Sequence, residues 1–318
     1  MKASICITVF NEEKTIDKLL NSLLNQTTKP DEIVIVDAGS IDTTAEQITD
    51  YQKLFSEKLT PLRLIISSGA SIAVGRNISI KNAKHKIIVL IDSGCIAKKD
   101  WLKKITKPFE NREVDFVAGF YHMTGDSSLQ KAVAPLHGVP PERFDVNKFL
   151  PSARSMAFTK KVWQEVGGFN EKLERAGEDT LFNYKVLQKG FMMVRVKSAI
   201  VYWEVPKIFK ESMQKFYIYA KGDAQAGIWW NPAQRLATHN LKILTIFIRY
   251  LIGLLFLILS FRYNSLSAYL LVSLAVYLFF SIYKMRDVVK DWRSRAWLPI
   301  IQICSDVVVM GGFISGLF

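Results

Sequence analysis

The 318-residue sequence holds only three cysteines, Cys6, Cys95 and Cys304, and their spacing suggests no pairs. That excludes a disulfide framework and fits a reducing compartment. Histidine is scarce too, at four residues; His122 and His137 stand too isolated to read as metal ligands, and ordinary hydrogen bonding is the expected role of each. The formal net charge is +13, yet the lysines and arginines form no stripe with interleaved aromatics, so no nucleic-acid partner is expected. Anionic lipid is the expected polyanion instead. The opening MKASICITVFNEE runs straight into a strand-like pattern and lacks the charged head, long apolar core and cleavage site of a signal peptide, so none is expected.

What the sequence has in excess is apolar residues, 49% of the chain. The surplus lies after Leu241, where 243–261, 266–283 and 298–318 each approach the ~20 apolar residues of a spanning helix. A soluble domain over 1–235 and a membrane region over 236–318 are therefore expected. Arg235 and Lys242 precede the first span, and Lys284, Arg286, Lys290, Arg293 and Arg295 separate the second from the third, whereas only Arg262 lies between the first two. The positive-inside rule then puts the soluble domain on the cytoplasmic face. The basic stretch 284–297, with Trp292 and Trp297, suits an interfacial segment. Arg249 and Asp306 are costly inside spans; at ~1.5 Å per residue they reach similar depths and are expected to pair, with contact between Arg249 and a lipid phosphate as the alternative. Gly312 and Gly316 read as a packing face within the chain.

In the soluble region, SICITVF is a buried-strand run, Ile16, Leu19, Leu20, Leu23 and Leu24 recur at helical spacing, and EIVIVD follows. Further apolar runs, LRLIISS, KIIVLID and VDFVAGF, alternate with polar or helical stretches, which predicts an α/β fold with a mostly parallel sheet flanked by helices. Asp37 and Asp92 each stand at the carboxyl end of such a run, where an open α/β sheet binds its ligand. Local roles suit these acids as well: Asp37 could cap a turn, and Glu12, Glu178 and Asp179 could each complement a helix amino terminus.

Five segments in order, ITVFNEE running on to VDAGSIDTT, GASIAVGRNISI, IDSGCIAKKDWL, VGGFNEKLERAGEDTLFNYKVLQKG and YAKGDAQAG, resemble glycosyltransferase family 2 over roughly residues 3–230. The resemblance implies a GT-A fold, a nucleotide-sugar donor, expected to be a UDP-sugar, and transfer with inversion. It also implies roles for particular residues. Glu12, Asp37, Arg76, Asn77, Asp92 and Lys221 would serve the donor, Asp179 beside Glu178 would supply the base, and Trp163 and Phe169 would form an acceptor-side wall. Asp92 would hold a divalent cation, Mg2+ or Mn2+, against the diphosphate.

The sequence departs from the family pattern in three places. Gly94 stands where a second metal-binding Asp belongs, and Trp203 lies near the place of a frequent His, with Glu204 as a possible substitute. The string Gln225, Ala226, Gly227, Ile228, Trp229 lacks the Arg of processive synthases, so addition of a single sugar is expected. The acceptor expected for an anchored enzyme is lipid-linked or membrane-proximal. Two rivals follow: a polyprenyl-phosphate sugar synthase, and a catalytically inactive membrane assembly subunit.

Overall fold

The computed structural model describes residues 2–173, 175–232 and 234–318. Its contacts divide the chain into two compact units, one formed by Met1–His122 with Phe144–Glu204, the other by Met123–Arg143 with Val205–Phe318.

The first unit opens with β1 (Ala3–Val9), α1 (Ile16–Leu24), β2 (Glu32–Asp37), α2 (Thr44–Glu57), β3 (Leu62–Ile66), α3 (Ile72–Asn82) and β4 (Ile87–Leu90). It continues through β5 (Cys95–Ala97), α4 (Trp101–Thr106) and β6 (Phe116–Thr124), which runs on into the second unit. After α5 (Ser128–Val133) of that unit, the chain returns as β7 (Met156–Thr159), α6 (Lys160–Val166), α7 (Glu178–Gln188) and β8 (Met193–Glu204). The sheet order is β3-β2-β1-β4-β7-β6-β8-β5. The pairs among β3, β2, β1 and β4 are parallel, as the βαβ alternation predicts. Beyond β4 the sheet changes character: β7 runs antiparallel to both β4 and β6, and β5 antiparallel to β8. Hydrophobic period identifies a strand but not its direction, so the mixed half exceeds what the alternation could show.

Core packing follows the apolar pattern. Every residue of β2 is buried, and α1 buries Ile16, Leu19, Leu20 and Leu23 against the sheet. Phe116, Phe158, Phe169 and Phe182 form an aromatic cluster on the antiparallel side, with Phe169 and Phe182 stacked at 4.3 Å. The buried Glu32 joins successive elements by accepting from Ser4 Oγ at 2.5 Å, from the Lys84 N–H at 2.8 Å and from Arg63 at 2.8 Å. Burial alone would raise its pKa, but these donors outweigh burial and hold it below the ordinary value.

The second unit contains α5, α8 (Phe209–Ala226), α9 (His239–Ser260), α10 (Ser265–Tyr283) and α11 (Trp292–Leu317). The last three helices are long and apolar enough to cross a membrane, and few residues of their apolar stretches are covered by protein. Large exposed side chains such as Leu251, Leu255, Leu271 and Phe279 call for an apolar solvent. The third of these helices begins at Trp292 rather than at 298, because Asp291 caps it by accepting from the Arg293 and Ser294 N–H groups. Trp297 is thereby set against α5 and α8, donating to Ser128 Oγ at 3.3 Å and stacking on Phe209.

Gly312 and Gly316 let α11 approach α8 closely: a Cβ at either position would run into the carbonyl of Tyr217 or Lys221. The expected Arg249–Asp306 pair forms at 2.8 Å. Asp306 also accepts from Tyr250 at 3.3 Å, from Tyr277 and from Gln302 at 3.0 Å. One buried carboxylate therefore joins all three apolar helices.

Candidate functional site

The first unit gathers its acidic residues where the parallel strands end. Asp37, the last residue of β2, is buried, and its Oδ1 accepts from the Gly39 N–H at 3.0 Å, the Ser40 N–H at 2.8 Å and Ser40 Oγ at 2.8 Å. The turn-capping role thus occupies one carboxylate oxygen. Glu12 follows β1; its N–H donates to Thr44 Oγ1 at 2.8 Å and its carboxylate accepts from Thr15. Asn11 adopts a left-handed φ of 53° and bonds both ways with the next strand's loop, donating its N–H to Ser40 Oγ and accepting from the Ile41 N–H. The loops after β1 and β2 are therefore cross-linked into one platform.

Arg76 holds the centre of the site. It lies in α3, which packs onto β1 at Gly75, where a Cβ would clash with the Thr8 side chain. Its buried guanidinium donates to Asp92 Oδ1 at 2.9 Å and to Glu178 Oε1, and it lies 5.6 Å from the centre of the Phe169 ring. Glu178 and Asp179 open α7, whose amino terminus is turned in by Gly177 at a left-handed φ of 87° that disfavours a side chain. Burial pushes the Glu178 carboxyl up; Arg76 opposes the rise and Asp179 adds to it. Burial would lower the Arg76 pKa, but the Asp92, Glu178 and Asp179 carboxylates outweigh it and hold the cation charged. Glu178 Oε2 is buried without a hydrogen-bond partner, a costly condition in a folded interior and a common mark of a working group. Asp179, half-buried, accepts from the Ala153 N–H at 3.3 Å and the Thr180 N–H at 2.7 Å.

The other expected residues fall elsewhere. Asn77 follows Arg76 in α3 but points to a different side of the helix, where it donates to the Phe169 carbonyl and Glu171 Oε1 and accepts from Trp163 Nε1 and the Phe169 N–H. Its amide is fully engaged in fastening the 167–171 turn, and donor contact through it would break bonds already made. Asn77 and Trp163 line a shallow, open cleft of about 550 Å³ with Gly168 and Glu171, and none of the clustered carboxylates borders it. Phe169, expected on a wall, is a core residue 2% exposed. Glu204 is exposed at the end of β8. Lys221 lies in α8 of the second unit.

One residue that motif reading passed over, Arg154, packs on the ring that borders the 92–94 turn. The Arg154 guanidinium lies 4.2 Å from the centre of the Trp203 ring and 5.5 Å from that of Tyr121. Trp203 in turn pairs with Cys95 across β5 and β8 and stands against Gly94, where an added Cβ would meet its ring at 3.8 Å. The only sequence signal was a lone Arg in PSARSMAF, before a strand too short to be recognised.

As a metal site, the 92–94 turn offers one carboxylate, with one oxygen already held by Arg76. Among the described residues no group of three or more His, Cys, Asp or Glu could hold an ion. A Mg2+-like ion needs only one or two protein carboxylates when substrate phosphates complete its shell. These residues fit an ion shared with a diphosphate and do not form a closed cage.

A family model described as glycosyl transferase family 2 matches residues 4–170, and one described as glycosyl transferase family group 2 matches residues 143–283. The chain belongs to glycosyl transferase family 2. It is 30% identical over 162 residues to the uncharacterized glycosyltransferase YfnE of Bacillus subtilis (strain 168), covering 48% of this chain and 40% of that protein. The glycosyltransferase GlyA of Streptococcus pneumoniae serotype 4 is 27% identical over 221 residues, covering 65% of this chain and 31% of that protein. The chain thus spans less than half the length of these two relatives. The mannosyltransferase PcManGT of Pyrobaculum calidifontis, solved with GDP-Man and Mn2+, superposes with a TM-score of 0.72 at 15% identity, covering 100% of this chain and 87% of that one. That likeness is one of fold, and it identifies the mixed sheet as GT-A.

Proposed function

We propose that the protein is a membrane-anchored, inverting, non-processive glycosyltransferase that moves one sugar from a nucleotide-sugar donor to a hydroxyl of a lipid-linked or membrane-proximal acceptor. The observation that carries the reading is Arg76, which bridges Asp92 at the end of the β4 run and Glu178 at the start of α7, with Asp179 beside them. Strand-end and helix-start carboxylates are thereby held as one unit. The GDP-Man bound by PcManGT and the family membership support a nucleotide-sugar donor.

In this mechanism the platform of Glu12 and Asp37 receives the nucleoside through carboxylate oxygens that accept from base and ribose. Asp179 takes the proton of the acceptor hydroxyl as that oxygen attacks opposite the leaving diphosphate. Glu178 and Asp92 orient Arg76, and Arg76 keeps the three neighbouring acids from repelling one another. A divalent cation on Asp92, shared with the donor phosphates, would offset charge on the leaving group. The three apolar helices, with basic residues at 284–295, support anchoring with the catalytic unit in the cytoplasm.

The test supplies labelled UDP- and GDP-sugars, with lipid extract, to membranes holding the wild type or Asp179→Asn. Label in the organic phase that falls by at least a hundredfold in the variant is expected. Transfer that survives Asp179→Asn would instead indicate a phosphate acceptor, as in a polyprenyl-phosphate sugar synthase. No transfer from any donor by a folded wild type would favour an assembly subunit.

A further inference from the structure

The long apolar helices of the second unit are not exposed alike. On α9 every position from 254 to 259 is exposed, and on α10 every position from 271 to 276. At 3.6 residues per turn such a run covers the whole circumference of a helix, which suits helices with lipid on all sides. On α11 the large exposed side chains beyond its first turn keep to one stripe at helical spacing, Ile300, Ile303, Val307, Ile314 and Leu317. That stripe is wholly apolar, and α11 packs on α5 and α8 through other residues, Trp297, Gly312 and Gly316.

The contacts of α11 with the α9–α10 hairpin show how it lies. α9 starts at His239 and α10 ends at Tyr283, so these two ends share one side of the hairpin, and the turn at 261–264 marks the other. Gln302 accepts from Lys284, just past the end of α10, at 2.8 Å. Asp306 reaches further in, to Arg249 and Tyr277. Phe313 comes back toward the start of α9, packing with Ile243 and with Phe247, whose ring centre is 6.0 Å away. The contacts are therefore deepest at the middle of α11 and shallower on both flanks. A third span would carry its contacts steadily toward the 261–264 turn, whereas α11 crosses the near end of the hairpin. α8 sets the same limit. It runs beside α11 from Phe209, which stacks on Trp297, to Tyr217 and Lys221, whose carbonyls abut Gly312 and Gly316. Because α8 carries Lys210, Glu211, Lys215, Lys221 and Asp223, a spanning α11 would draw those costly charges into hydrocarbon beside it.

We propose that α11 is an in-plane membrane-binding helix whose apolar stripe rests in the headgroup–acyl boundary of one leaflet, and that α9 and α10 are the two spans of the chain. The occupant of the stripe is the phospholipid leaflet on the side where α9 starts. The stretch that leads into α11 supplies what a headgroup layer favours, an exposed Trp292 with Arg286, Lys290 and Arg293. The third apolar stretch, expected from its length to cross the bilayer, lies along it instead, and Phe318 stays on the side of α8. The proposal rests on the membrane anchoring in the reading above.

The test labels single cysteines with a membrane-impermeant maleimide in sealed inverted vesicles and in spheroplasts. The full chain carries Cys304→Ser, with Cys6 and Cys95 buried, and one reporter at a time: Lys210→Cys in α8, Asn264→Cys in the hairpin turn, or a cysteine on a short Gly-Ser linker after Phe318. The first and last are expected to react from one side and Asn264→Cys from the other. Reaction of the linker cysteine from the Asn264 side would overturn the proposal and spare the anchoring, whereas reaction of all three from one side would overturn both. A depth measurement decides independently. Bimane placed by Ile300→Cys, Val307→Cys or Ile314→Cys sits at points about 10 Å apart along the helix axis. Quenching by lipids spin-labelled at graded depths should place all three at one shallow level; steps of about 10 Å from each to the next would overturn the proposal.

Discussion

Arg76→Met removes the one cation shared by Asp92 and Glu178 while roughly keeping its stem. Glu178 is 4% exposed and makes its charged contact with Arg76 alone, so the substitution leaves a carboxylate stranded in the interior. Removing one partner of a buried pair costs about 3–5 kcal/mol. For a unit of this size that is a fall of about 6–20 °C in melting temperature. The loss should depend on pH. Burial already raises the Glu178 pKa above its ordinary 4.5, and Arg76 is the main force pulling it back. A carboxyl whose folded pKa exceeds the unfolded value contributes most below the unfolded pKa and loses that contribution as pH rises through the folded one. Without Arg76 the folded pKa climbs further, so the deficit should be largest near pH 8 and shrink toward pH 5, where Glu178 takes up a proton. Thermal unfolding of the full chain in detergent at both pH values measures this. Adding Glu178→Gln should recover much of the pH 8 loss. A fall below about 1 kcal/mol at pH 8, or an equal fall at both pH values, would refute the reasoning.

Two further outcomes follow from packing. Asn77→Ala deletes four hydrogen bonds around the 167–171 turn and should cost about 2–4 kcal/mol at roughly 1 kcal/mol each, with hydrogen exchange at the Phe169 amide accelerating first; unchanged exchange there would contradict the fastening role. Gly312→Ala puts a methyl into the Tyr217 carbonyl and should cost about 1–3 kcal/mol in detergent stability, whereas Gly311→Ala, whose methyl meets the Tyr217 ring at 3.8 Å, should be nearly neutral.

The parallel half of the sheet was readable because burial on both faces yields continuous apolar runs, and Asp37 and Asp92 ended those runs visibly. The long apolar helices were readable from the length of their uninterrupted apolar runs, and the Arg249–Asp306 pair followed from matching positions along them. Direction was not readable in β7, whose four residues carry no period and whose antiparallel partners come from distant parts of the chain. Asn77 and Phe169 fitted motif positions but not their surroundings: which side of α3 a residue occupies decides between Arg76 in the acid cluster and Asn77 under the neighbouring turn. Arg154 was invisible because its significance lies in Trp203, 49 positions along the sequence.

The Asp306 contacts also impose a timetable on biogenesis. Arg249 and Tyr250 arrive on the first apolar helix and Tyr277 on the second, but the carboxylate they share is on the last. In a bilayer, a first helix made before the third would carry that guanidinium without its eventual counter-ion, a burden of up to about 2.5–3.5 kcal/mol. The third helix therefore completes the network, joining two helices that Arg249 already links by lying 4.6 Å from the centre of the Tyr277 ring.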